Sequence, residues 1–159
     1  MGLSLAYAAS NASNPGNGLG LFNGDYAALA QVAFRPTDNI NLGLTYVHSY
    51  DNAVSNGNIA NSIGVSGGTG SVFANNPFNG AATSSNKYGA EASVKLGSKL
   101  TLSGWGGYTV ATAEQGPGAV TRGDRAQIWN WAATLAFQDF IKEGSVLGVI
   151  FGQPPRAGK

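Results

Sequence analysis

INLGLTYVHSY, residues 40–50, decides the fold class. Ile40, Leu42, Leu44, Tyr46, His48 and Tyr50 fall on one face, and Asn41, Gly43, Thr45, Val47 and Ser49 on the other. A repeat of two residues marks a strand whose faces meet different surroundings, whereas a helix repeats near 3.6. Slipping such a strand by one residue exchanges its faces, so the pattern also fixes the register.

The same period recurs on both sides of this stretch. Strands are expected at 3–9, 26–35, 40–50, 87–96, 100–110, 127–137 and 145–152. In the second, Tyr26, Ala28, Ala30, Val32 and Phe34 oppose Leu29, Gln31 and Arg35. In the fourth, Tyr88, Ala90, Ala92, Val94 and Leu96 oppose Lys87, Gly89, Glu91, Ser93 and Lys95. In the sixth, Trp129, Trp131, Ala133, Leu135 and Phe137 oppose Asn130, Ala132 and Thr134.

Connection lengths alternate. Pro36-Thr37-Asp38-Asn39 and Gly97-Ser98-Lys99 are tight turns, and 138–144 is slightly longer. Between them lie Gly/Asn/Ser-rich links at 10–24, 52–86 and 111–125. Antiparallel strands that run between two ends of a barrel send every second connection to the same end. Transmembrane barrels keep short turns on the periplasmic side and long loops outside. Ten residues at about 3.3 Å each reach about 33 Å, which at a tilt of about 40° covers about 25 Å, the height of a lipid-facing apolar band. The expected architecture is therefore all-β: an antiparallel up-and-down transmembrane β-barrel, here a partial barrel, with residues 1–159 forming a curved open sheet of about seven strands within one barrel domain.

In hydrocarbon every backbone polar group needs a partner, so the face that meets lipid must be apolar and the other can meet water. The fourth strand fixes which is which. Lys87, Glu91 and Lys95 share a face, and each Lys turned toward lipid would cost about 2–4 kcal/mol near the midplane. Tyr26, Phe34, Tyr46, Tyr50, Tyr88, Tyr108, Trp129, Trp131 and Phe137 cluster toward strand ends. Interfacial aromatic girdles sit there, although aromatics favour any sheet. The candidate lumen face is small and polar, with Gly43, Gly89, Ser93, Ser103, Gly107 and Ala132. A soluble barrel or sandwich would need bulky apolar side chains there to fill a core.

Composition excludes several classes. Of 159 residues, 24 are Gly, none is Cys and 11% are charged, against about 25% in soluble domains. A net charge of +1 gives no electrostatic case for nucleic acid. One His and no Cys leave little material for a triad or a zinc site, no cofactor is expected, and the eight carboxylates are scattered, so no enzyme is expected. No apolar run approaches the roughly 18 residues of a membrane-spanning helix. Met1 leads into Gly2-Leu3-Ser4-Leu5 without a basic region or cleavage site, and the expectation is an internal piece of a longer barrel.

Three stretches carry a family resemblance: NPGNGLGLFNGDYAALAQVAFRPTDNINLGLTYVHSY (14–50), KYGAEASVKLGSKLTLSGWGGYTVATA (87–113) and GDRAQIWNWAATLAFQDFIKEGSVLGVIFGQPP (123–155). They resemble carbohydrate-selective porins of the OprB type, among them cyanobacterial porins labelled iron-uptake porins. The resemblance implies an outer-membrane barrel, passive uptake of sugars or other small polar solutes including inorganic ions and iron, membrane lipids as surroundings, and a homotrimer at full length. It carries no catalytic motif. These residues hold no signal peptide, none of the surface-layer-homology and coiled-coil region of cyanobacterial members, and none of the later strands.

The pore-lining candidates are Arg35, Lys87, Glu91, Lys95, Trp105 and Asn130. The charges either set selectivity or simply solvate the lumen. Trp105 lies between Gly104 and Gly106, where its indole could stack on the apolar face of a sugar ring, unless a glycine bulge turns it outward. Arg122, Asp124 and Arg125 are candidates for the extracellular mouth or for an ordinary solvated loop. The 52–86 link either folds into the lumen or covers the surface. Its Gly67-Gly68-Thr69-Gly70 run lacks the Lys and the following helix of a phosphate cradle. His48 suits an interfacial position. Two other classes stay open: a β-rich adhesin or solenoid, which would need a repeated coil length, and a soluble β-barrel enzyme, which would need converging acid and base groups.

Overall fold

The computed structural model describes residues 1–9, 24–52, 64–116 and 118–158. It holds seven strands: β1 (Gly2–Ala9), β2 (Tyr26–Thr37), β3 (Ile40–Asp51), β4 (Thr83–Leu96), β5 (Leu100–Ala113), β6 (Arg125–Gln138) and β7 (Val146–Gly158). They form one sheet in chain order, and each is antiparallel to the next. The up-and-down curved open sheet expected from the alternation is what the chain forms. Among the described residues no helix is long and apolar enough to cross a membrane. One helical turn, α1 (Val72–Asn75), follows Ser71, whose side chain accepts from the Ala74 N–H at 3.2 Å.

Directly paired residues share a face, so the register reads out both surfaces. One outer row crosses five strands: Ala30, Tyr46, Tyr88, Tyr108 and Trp129. Tyr46–Tyr88 and Tyr108–Trp129 are in ring contact, with centroids 5.4 and 4.2 Å apart. Eight residues further along β4 and β6 lie Leu96 and Phe137, both beside Leu100. Eight steps of about 3.3 Å, tilted by about 40°, span about 20 Å, close to the apolar band of a barrel wall. The inner rows are small and polar. Gln31, Thr45, Gly89, Gly107 and Asn130 form one, and Gly43, Glu91, Trp105, Ala132 and Gly152 another.

All three short connections gather at one end and the three long ones at the other. Gly97 takes φ +80 in the β4–β5 turn, a conformation that favours glycine. Strands β4 to β7 run further toward the long-loop end than their apolar cores suggest. Thr83–Asn86, polar enough to read as loop, completes the ladder with Asn86 opposite His48 and Ser85 opposite Ser49. Strand β7 continues through Pro154 and Pro155, which lack an N–H. This is tolerated because β7 is an edge strand of the described sheet and its register against β6 shifts between Trp129 and Trp131.

The buried apolar residues do not lie inside a globule. Val65, Ala74, Phe78 and Ala81, from the connection between β3 and β4, pack on Ala111, Ala113 and Ile128 of the inner wall. Residues 64–82 thus fold over the inner face at the long-loop end. Residues 53–63 of that connection, and the first long link except its last residue, lie outside the described residues.

Candidate functional site: the inner wall

Two cavities of about 650 and 460 Å³ lie along the inner face. The larger is bounded by residues of all seven strands, chiefly β2–β6, and by Gly64–Gly67 and Thr69 of the folded-in connection. The smaller continues toward the short-turn end, past Asn41, Ser93 and Ser103. Glu91 and Trp105 line both, so they stand where the two cavities meet.

The floor at this point is built from glycine. The Glu91 side chain lies across Gly43, where an added Cβ would come within 2.6 Å of its Cγ. The Asn130 side chain lies across Gly107 in the same way, with its Cγ 3.0 Å from such a Cβ. These polar side chains therefore lie over positions that only glycine leaves open. Trp105 rises from the same floor, about half exposed. Its strand pairs with β4 without a register break from Thr83–Ala113 to Leu96–Leu100, so no bulge turns it outward.

Hydrogen bonds run across the strands of this wall. Gln31 Nε2 donates to Thr45 Oγ1 at 3.2 Å, and Ser103 Oγ to Ser93 Oγ at 2.9 Å. Nearer the long-loop end, Lys87 Nζ donates to Ser49 Oγ at 2.6 Å, and Ser49 and Ser85 share a 2.8 Å bond. Asp51 also lines the larger cavity, and its buried Oδ2 has no hydrogen-bond partner. Ser49, Ser85 and Asp51 were not among the sequence candidates. Ser49 already falls on the polar face of 40–50, and extending β3 to 51 and β4 back to 85 puts Asp51 and Ser85 on the same face.

The remaining candidates separate. Lys87, Glu91, Trp105 and Asn130 converge on the larger cavity. Arg35 lines the smaller one but is tied to its own turn, donating to the Asp38 carbonyl at 2.9 Å and pairing with its carboxylate at 3.7 Å. Lys95, paired with Thr101, shares the face of Glu91 at the short-turn end and is exposed. Arg122 is exposed in the connection between β5 and β6. Asp124 Oδ2 accepts from the Thr121 N–H at 2.8 Å and so braces that connection. Arg125 opens β6 in phase with Trp129, on the outer face. His48 is outside too, in a polar cluster with Tyr26 Oη (3.3 Å) and Asn86 Oδ1 (3.1 Å), and Tyr46 Oη donates to the same Asn86 oxygen at 2.7 Å. Among the described residues no group of three or more potential ligands gathers to hold a metal.

The described sheet has a cavity-lined polar face, an opposite face with an aromatic row, and its long connections at one end, the pattern of a transmembrane barrel wall. The model of the carbohydrate-selective porin family OprB matches residues 2–158. The chain belongs to the OprB porin family. An uncharacterized protein of Nostoc sp. is 41% identical over 154 residues, which is 96% of this chain and 25% of that protein. An uncharacterized protein of Synechocystis sp. is 34% identical over 166 residues, 96% of this chain and 29% of that protein. The chain thus spans between a quarter and a third of the length of these relatives. No solved structure matches it. OprB porins are outer-membrane proteins, and the open seven-stranded antiparallel sheet is consistent with part of a barrel.

Proposed function

We propose that this chain is part of the wall of an outer-membrane porin through which small polar solutes, carbohydrates foremost, diffuse passively. One observation carries the reading: the described sheet keeps Lys87, Glu91 and Asn130 on a cavity-lined face and an aromatic row on the opposite one. A soluble protein gains nothing from exposing the second face. Lipid accepts it, and water fills the space before the first.

Within the lumen, Trp105 offers an indole face to the apolar side of a sugar ring, with the Glu91 carboxylate and Asn130 amide close enough in the ladder to meet hydroxyls. Residues 64–82 narrow the passage on the β5–β7 side, where Ser71 N–H donates to the Pro155 carbonyl at 2.9 Å. The open path therefore runs over Lys87 and Glu91, and inorganic ions, iron included, would take the same route. The full-length protein is proposed to assemble as a homotrimer in lipid.

The test is charge reversal. Lys87→Glu combined with Lys95→Glu in the full-length protein should move the reversal potential in planar bilayers toward cation preference. An unchanged reversal potential would remove both residues from the permeation path.

A further inference from the structure

Two charged side chains of the described strands lie off the inner wall. Arg156 stands directly opposite Trp129, on the outer face. Arg125 is four residues before Trp129 on β6, on the same face and about 13 Å nearer the long-loop rim. By register they are the charged residues at outer-face positions of the described strands, and both are basic and exposed.

Neither has a partner within the described residues. The ion pair found there is Arg35–Asp38, at the other end of the sheet. Asp124, next to Arg125, is bound to the Thr121 N–H. Glu114 turns toward β4, where Ser84 Oγ donates to it at 2.6 Å. The two guanidinium groups are thus left to something outside the chain.

We infer that Arg125 and Arg156 form a docking site for a net-anionic lipid headgroup with an accessible phosphate. The inference rests on the membrane-spanning reading above. The long-loop end of such a barrel faces the outer leaflet, where an aromatic row marks the interface: Arg156 lies level with that row and Arg125 just beyond it, at headgroup depth. A guanidinium stays charged there and presents a planar fork that matches phosphate oxygens. A further strand beside β7 would join in the plane of the sheet, leaving Arg125 on β6 still turned outward. The charge of the pair and its direction both select a lipid.

The experiment uses the full-length protein in detergent, titrated with short-chain phosphatidylglycerol or with phosphatidylcholine of the same chain length, and read by native mass spectrometry. The parent should prefer phosphatidylglycerol. Arg125→Gln with Arg156→Gln should weaken that binding about tenfold and leave phosphatidylcholine unchanged, the loss expected for two charged hydrogen-bonding groups on an exposed surface. The Arg→Lys pair should keep part of the preference, and salt should erode it. Equal phosphatidylglycerol binding by parent and Gln variant would overturn the inference. So would displacement of the lipid by inorganic phosphate, which would mark a site for free anions. Planar-bilayer conductance on the same preparations separates the two readings. Conducting parent and variant with equal lipid binding sink only the lipid site, whereas a parent that inserts and does not conduct sinks the channel.

Discussion

The apolar cluster under residues 64–82 and the outer surface of β2–β7 use similar side chains to opposite ends. Phe78, Val65 and Ile128 are each at most 5% exposed, because the chain folds back and covers them. Leu44, Val149 and Phe151 are between 56% and 71% exposed, and nothing in the described chain covers them. The first region buries its apolar area against protein, as any core does. The second is too extensive a patch for a surface facing water, and in the proposed porin its solvent is lipid. On this reading the chain holds two hydrophobic regions with two different solvents, and a substitution should report which one it touches.

The largest difference is expected at the middle of the outer band. Ala92→Arg should cost the full-length barrel up to about 4 kcal/mol, the scale for a cation at the bilayer midplane. Ser93→Arg, one residue along and facing the smaller cavity, should cost under about 1 kcal/mol, as substitutions that stay in water usually do. Urea unfolding in lipid vesicles measures both, and equal losses would erase the distinction between the faces. Next comes the cluster under the loop. Phe78→Ala should cost about 3 kcal/mol locally, the low end for truncating a buried aromatic. It should expose residues 64–82 to protease and add noise to single-channel currents, while the barrel still inserts. The smallest effect is expected in the lumen. Trp105→Ala should weaken current block by glucose only a few-fold, in keeping with a stacking contact of about 1 kcal/mol.

Much of this was legible because strand alternation is a local property. INLGLTYVHSY sorts its side chains onto two faces with no knowledge of its neighbours, and Lys87, Glu91 and Lys95 fall together on one face of the next strand. The polar run Thr83–Asn86 was not legible, because what makes it a strand is the ladder offered by β3, a partner more than thirty residues away. Pro154 and Pro155 argue against a strand on any local rule, and only the edge position and the register shift reconcile them with one. The sequence alone leaves the 52–86 link open between lumen and surface. Its decisive contacts, Phe78 and Val65 on Ala111, Ala113 and Ile128, join distant segments. At the site, Lys87, Glu91, Trp105 and Asn130 could be placed on one face from phase alone. The phase of Arg125 also puts it outside, but its place at the end of a Gly-rich connection invited a reading as part of the mouth.

A cysteine scan along β4, made in a full-length background cleared of any other cysteine, tests the two-solvent account most directly; residues 1–159 contain none. Single cysteines are placed at 87 to 94 in the full-length protein, reconstituted in vesicles. Positions 87, 89, 91 and 93 should react with a water-soluble, membrane-impermeant thiol reagent. A fluorophore attached at 88, 90, 92 and 94 should instead be quenched by a nitroxide carried on lipid tails. Uniform labelling along the strand, or quenching at 91 and 93, would contradict it.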